Sequence, residues 1–201
     1  MSYNNILNLN LTRNQTMSLN LEKNQSLNLT KASDRLLRVK ASLSWQTPEN
    51  VFPSYDLDVC AFMLGESGKL LSDEGFIFYN QPAAVDGSVV SSGDETSGGT
   101  EDITIDIAKL NPAVAEISIV VTIHKAVDRK QHFKKVTGAM LEIFNVDTGE
   151  KLAVFKLSDA PIEATAVIVG SFYQTADGFT FTGVEQYYQL ELESILDGYR
   201  S

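Results

Sequence analysis

Asp56 and Asp58 are separated by one residue in a run, Tyr55 to Leu64, that otherwise reads as an apolar strand. Side chains two apart on a strand share a face, so both carboxylates fall in phase with Cys60, Phe62 and Leu64. A charge set among buried residues costs several kcal/mol unless a partner compensates it. No Lys or Arg lies nearby in sequence. The remaining solutions are a cation brought in by folding, a bound metal ion, or a strand end open to solvent. A second acidic element, Gly93-Asp94-Glu95-Thr-Ser-Gly98-Gly99-Thr100-Glu101-Asp102, joins glycines that let a loop turn tightly to four carboxylates. It is either a cation-binding loop or a solvated acidic hairpin. It lacks the acid spacing of an EF-hand and the Gly-Lys-Ser/Thr of a phosphate loop.

These elements lie in the most acidic part of the chain. Between Ala41 and Ala108 there are twelve carboxylates and one cation, Lys69, a net −11 against −10 for the whole chain. Like charge at that density opposes compaction. A hard cation as a component of the fold resolves the conflict, and oxygen-rich, histidine-free clusters suit calcium rather than zinc or copper. The candidate metal ligands are the carboxylates of these two elements, Asp56, Asp58, Asp94, Glu95, Glu101 and Asp102. The acidic balance, with a sequence pI near 4.6, argues against nucleic acid or an anionic membrane as partner. No apolar run is long enough to span a bilayer. The polar, Asn-rich start does not read as a secretory signal. The single cysteine, Cys60, excludes an internal disulfide and suits a reducing, cytoplasmic compartment; inside an apolar run it reads as a small buried residue.

The elements that must position these groups are strands. Leu36–Trp45, Tyr55–Leu64, Phe76–Tyr79, Ile103–Ile107, Glu116–His124, Met140–Val146, Lys151–Leu157, Ala164–Tyr173 and Phe179–Val184 alternate or run apolar and β-branched. Asp-Gly and Thr-Gly turns separate several of them. The pattern predicts a mostly β protein, an antiparallel β-sandwich. One short helix is expected at the C-terminus, where Tyr188, Leu192, Ile195, Leu196 and Tyr199 form an apolar stripe. A second is expected to start near Arg129, with Phe133 and Val136 inward. At the N-terminus Leu9-Asn-Leu11-Thr-Arg-Asn-Gln-Thr16 recurs as Leu19-Asn-Leu21-Glu-Lys-Asn-Gln-Ser26, then as Leu27-Asn-Leu29-Thr-Lys31. The repeat reads as short antiparallel strands joined by turns that place Asn at positive φ.

Several ordered motifs resemble the TerD family of tellurium-resistance and stress proteins. They are Leu43-Ser-Trp45, Tyr55-Asp-Leu-Asp58, Phe76-Ile-Phe-Tyr-Asn-Gln81, Asp86-Gly-Ser-Val89, Gly93-Asp94, Asp128-Arg-Lys-Gln131 with Phe133, and Asp147-Thr-Gly-Glu150. The similarity runs over residues 17 to 199. It implies a calcium-binding β-sandwich domain over 17–201, with residues 1–16 as an extra N-terminal hairpin. The family's ligands, attributed to its Asp-x-Asp strand and Gly-Asp loop, map onto Asp56, Asp58 and Asp94. Where the family has Asn after that Gly-Asp this chain has Glu95. Where it has Gly-Asp-Asp-Glu this chain has Gly98-Gly-Thr-Glu101, with Glu95 or Asp102 available to compensate, so the resemblance implies one or two calcium ions.

The resemblance implies a non-enzymatic binding or scaffold module. An enzyme is disfavoured by residues alone: His124 and His132 are the only neutral-pH bases, and no Ser-His-Asp order or nucleophile elbow is visible. The other reading is a structural or assembly protein, such as a virion component, in which the N-terminal hairpin adds to a neighbouring subunit's sheet edge. On that reading, removing residues 1–16 changes the oligomeric state, which size-exclusion chromatography reads directly.

Overall fold

The structure, a computed structural model, describes residues 19–20, 23–32, 36–47 and 49–200. In chain order the strands are β1 (Leu19–Asn20), β2 (Ser26–Asn28), β3 (Arg38–Gln46), β4 (Leu57–Leu64), β5 (Phe76–Ile77), β6 (Val89–Ser91), β7 (Gly99–Asp106), β8 (Glu116–Ile123), β9 (Thr137–Asn145), β10 (Lys151–Lys156), β11 (Ala166–Thr175) and β12 (Gly178–Tyr188). Three short helices join them: α1 (Leu29–Ala32), α2 (Ala126–Arg129) and α3 (Leu192–Arg200). The strands form two six-stranded sheets, ordered β1-β10-β9-β3-β7-β6 and β2-β12-β11-β8-β4-β5. Among the described strands every pairing is antiparallel except that of β1 with β10. The expected β-sandwich is therefore the observed fold.

Period-two alternation explains the core. Val39, Ala41 and Leu43 of β3, Ile103 and Ile105 of β7, and Leu141 and Ile143 of β9 face Val59, Ile119, Val121 and Phe172 of the other sheet. Strand β4 departs from simple alternation, because all eight of its residues are buried. Its inner face enters the sandwich. Its outer face (Cys60, Phe62, Leu64) meets Phe76 and Val120 and is roofed by Leu192, Ile195, Leu196 and Tyr199 of α3. A row of rings extends that outer layer, Tyr199 tilted against Phe62 at 4.5 Å, then Phe62 stacked on Phe76 at 4.7 Å and Phe76 on Phe78 at 4.3 Å. The far end of α3 is pinned by the 2.8 Å bond between Tyr199 Oη and Ser118 Oγ.

Three expectations need correction. The C-terminal stripe is divided, since Tyr188 ends β12 and only the residues from Leu192 onward are helical; Tyr188 still packs on the same cluster. The helix near Arg129 ends there rather than begins: Lys130 takes a left-handed conformation (φ 53°) that closes α2. Phe133 and Val136 nevertheless are buried, Phe133 opening the 3-10 turn that follows and Val136 the extended residue that ends it. In the repeat, Asn24 does take positive φ (64°), but β1 and β2 do not pair with each other. Each adds to the edge of a different sheet, β1 beside β10 and β2 beside β12, because Leu27 and Leu29 are needed in the core. The extra hairpin expected before residue 17 lies outside the described residues.

The register of β11 shifts between Ile168 and Gly170. A Cβ built on Gly170 would lie 2.5 Å from Thr182 O and closer still to the Phe181 ring. Gly170→Ala is therefore expected to destabilise the fold by roughly 1–3 kcal/mol, the usual cost of overpacking; a urea melt at constant slope measures it.

Candidate metal centre

Asp56 and Asp58 stand where β4 runs out of the apolar layer. The chain enters β4 from a segment held by its backbone: Trp45 Nε1 donates to Tyr55 O at 3.1 Å, and His124 N donates to Asp56 O at 2.8 Å. Asp58 lies on the outer face in line with Cys60, Phe62 and Leu64, as the two-residue period predicts, and opposite Thr122 in the β4/β8 ladder. Asp58 is 4% exposed and Asp56 8%. The strand-end alternative, with both aspartates in solvent, is therefore not what the fold adopts.

Asp94 arrives from the other sheet, on the loop between β6 and β7. Gly93 (φ 118°) gives that loop a left-handed turn that disfavours side chains. One carboxylate oxygen from each of Asp56, Asp58 and Asp94 lies within 4.8 Å of the others, Asp94 being the exposed member.

Among the described residues Asp56, Asp58 and Asp94 bring carboxylate oxygens this close, while Glu95, Glu101 and Asp102 make other contacts. Strand β7 begins at Gly99, so Glu101 and Asp102 belong to a strand and point to opposite faces. Glu101 turns inward and reaches across to the other sheet. Strand β5 pairs with β4 only at Ala61 and Phe62, and Glu101 Oε2 accepts the bond from Val59 N beyond that pairing, at 3.0 Å. Its Oε1 accepts from Glu95 N, also at 3.0 Å. Glu101 thus ties the Asp94 loop to β4 through two backbone donors. Asp102 points to the outer surface of its own sheet, bonded to Lys40 Nζ at 2.9 Å and Ser42 Oγ at 2.5 Å. The Glu95 side chain lies over Gly99, where an added Cβ would sit 2.6 Å from Glu95 Cγ.

The electrostatics follow from this crowding. Burial, reinforced by Glu101, Asp56 and Asp94, pushes the Asp58 carboxyl up to about 8. Burial likewise pushes Glu101 up to about 7, against the lowering effect of its two backbone donors. Asp56 is raised chiefly by burial, with His124 and Arg129 acting the other way. Arg129, from the end of α2, is the cation that folding delivers: its Nη1 is 3.8 Å from Asp56 Oδ2. That separation is an ion pair without a close hydrogen bond. Asp56 Oδ1 is buried with no hydrogen-bond partner. Three carboxylates with one loosely placed cation and one orphaned buried oxygen form an all-oxygen donor set that can hold a hard metal ion.

Two neighbours of the site were not among the sequence candidates. Arg129 lies in the Asp128-Arg-Lys-Gln131 motif, and Tyr79, whose phenol is raised by burial and then by Asp58, Asp94 and Asp56, lies in the Phe76–Gln81 motif. Their presence in those motifs was the available signal; their distance from the aspartates in sequence concealed it.

Comparison with known proteins agrees with this architecture. The TerD domain family matches residues 17–199. The chain is 34% identical over 174 residues to the tellurium resistance protein TerD of Serratia marcescens, spanning 85% of this chain and 91% of that protein. It is 34% identical over 175 residues to general stress protein 16U of Bacillus subtilis (strain 168), with the same coverage. A solved structure of a homologue of telluride resistance protein (TerD) from Streptomyces coelicolor A3(2) shares the fold with a TM-score of 0.66 at 20% identity, over 80% of this chain and 95% of that one. On a match that spans nearly the whole sandwich, with relatives a third identical over most of their length, the chain belongs to the TerD family.

Proposed function

We propose that Asp56, Asp58 and Asp94 bind one calcium ion and that the chain is a non-enzymatic binding or scaffold module of a tellurium-resistance or stress-response system. The observation that carries this reading is the convergence of three carboxylates from two sheets, two of them buried and one with an orphaned oxygen. An oxygen-only site with neither histidine nor thiolate among its donors favours calcium over zinc or copper. The bound ion supplies positive charge where Arg129 alone does not balance the cluster. The residues do the rest: Asp56 and Asp58 fix the ion to β4, and Asp94 fastens the β6–β7 loop over it. Glu101 holds the same loop through backbone bonds, so the loop is already shaped before Asp94 engages. A single ion is proposed because Glu95, Glu101 and Asp102 are committed to other contacts.

A binding module fits the chemistry of the other reactive groups. Cys60 is fully buried, and burial pushes its thiol well up, which disfavours a nucleophile. No helix among the described residues is long and apolar enough to cross a membrane. We place the protein in the cytoplasm, where a lone reduced cysteine is ordinary.

Calorimetric titration of calcium into chelated protein is expected to give a stoichiometry of one. At about a hundredfold excess over Kd the ion adds roughly 3 kcal/mol of stability, which for a domain of this size raises Tm by about 6–12 °C. Magnesium, which demands octahedral geometry and sheds water reluctantly, gives a much smaller rise. Asp58→Asn removes most of the calcium response. Asp73→Asn, whose carboxylate pairs with Arg200 on the far side of α3, leaves it unchanged. Equal responses to both metals, or an unchanged response in Asp58→Asn, overturn the assignment.

A pH series adds a second test. In metal-free protein Asp58 and Glu101 keep their protons to about 8 and about 7, whereas the unfolded chain releases them near ordinary carboxylate values. The folded state then binds more protons across that window, so its stability falls as pH rises from about 5 towards 8 and levels off above. The ion displaces the same protons, so its affinity rises over the window, by up to about tenfold per pH unit for each proton released. Urea melts with chelator and calorimetry with calcium, run at matched pH, read the two opposite slopes, and Asp58→Asn flattens the first.

A further inference from the structure

We propose that the cleft beside Asp58 is a binding site for a small organic cation, an ammonium carried on an aromatic or branched apolar body. The cleft has a volume of about 650 Å³ and opens between the end of β4, the segment after β8 and the first turn of α3. That volume is in the range of small-molecule sites. One wall is aromatic: Phe76 and Phe78 stack at 4.3 Å, and Tyr79 meets Phe78 edge-on at 5.2 Å. Leu192 and Leu196 face them, packed on the outer apolar layer yet only partly buried. Helix α3 therefore roofs that layer incompletely, and the half-buried rings of Phe78 and Tyr79 border the cleft.

The inner wall carries a polar group with nothing to bond. Thr122, 2% exposed, lines the cleft directly across the ladder from Asp58, and its Oγ1 has no hydrogen-bond partner. The charges around the cleft decide the class of ligand. Asp58, Asp128, Glu191 and Glu193 line it against one lysine, Lys125, and one histidine, His124. Glu191 Oε1 accepts from Val127 N at 2.9 Å, which fixes that carboxylate at the rim. With Asp58 committed to a metal ion, three carboxylates still outnumber one cation. An anionic ligand is repelled by this lining. A neutral one leaves the rim carboxylates unused. An ammonium gains from both the rim and the ring faces, since aromatic faces attract cations, and the Thr122 hydroxyl can accept one of its protons.

This assignment goes beyond the calcium reading and stands without it. Three probes of one size separate the possibilities: phenethylammonium, 2-phenylethanol and phenylacetate, each titrated into the full-length, calcium-saturated protein and followed by amide and methyl NMR shifts. The cation is expected to give saturable shifts centred on Phe78, Tyr79, Thr122 and Leu192. The alcohol should bind at least tenfold more weakly, and the anion should give no saturable shift. The surface double substitution Asp128→Asn with Glu193→Gln is expected to weaken the cation fivefold or more while leaving the alcohol unchanged. Thr122→Val, close to the same shape, weakens the cation severalfold with the rest of the spectrum preserved. The proposal is overturned by equal affinity for cation and alcohol, by saturable shifts confined to another surface, by no saturable shift, or by preferential binding of the anion. Repeating the cation titration in chelator separates it from the metal: retained affinity without calcium supports the cleft even if calorimetry finds no ion.

Discussion

Strand β4 is the constraint on which the rest depends. Among the described strands it is the one long strand buried along both faces and its whole length, and its outer row runs without a break from Leu64, Phe62 and Cys60 to Asp58. The helix that seals that row must be at the C-terminus and must cover the middle of the strand, where Ile195 and Tyr199 pack. It does not reach far enough to make the end of the row apolar. A carboxylate in line with that hydrophobic layer is thereby held out of water. The loose approach of Arg129 and the strong rise in Asp58's proton affinity answer to that cost, and Asp94, arriving from the β6–β7 loop, adds to it.

Glu101 shows how one residue in the same acidic segment takes a different part. It sits on the inward face of β7, where a charge would be as costly as at Asp58, and two backbone N–H groups meet it. Hydrogen bonding from fixed backbone donors is the alternative to a cation as a way of accommodating a buried carboxylate. The distribution is informative. At Glu101 the protein supplies donors and holds two sheets together. At Asp56 it supplies one distant guanidinium and leaves an oxygen bare. The group that is fully answered is structural, and the group that is not is the one available to a ligand.

The fold was legible from the residues because its signals are local: alternation for strands, Asp-Gly and Thr-Gly for turns, a helical stripe for α3. Asp56 and Asp58 were legible for the same reason, since the period of a strand fixes which side chains share a face. The charge concentration between Ala41 and Ala108 was a poor guide to membership of the site. Asp102 pairs with Lys40, Asp106 with Lys109, and Asp73 with Arg200, while Asp86 accepts from Ser88 N within its own turn. Four of the twelve carboxylates are thus taken up by surface pairs and a turn, each worth little individually. The Gly93–Asp102 segment was read as one loop, but its second half is strand, so Glu101 and Asp102 part company at the first pleat. Arg129 and Tyr79 come from segments far along the chain, and no spacing rule could bring them to Asp56.

The position of the cluster bears on how the sandwich behaves as a unit. Asp56 and Asp58 belong to one sheet and Asp94 to the other, so any positive charge placed among them is a contact between sheets rather than within one. A proton cannot serve the same purpose. It neutralises one carboxylate and leaves it a single donor, whereas a divalent ion binds several oxygens at once. On the proposed function, a proton or a metal ion would relieve the repulsion, but only a divalent ion would join the three side chains. The β6–β7 loop is held to β4 by Glu101 in either case; with an ion bound, the third carboxylate would add a link whose strength is set by the solution around the protein, where the apolar layer stops short and a cleft opens beside it.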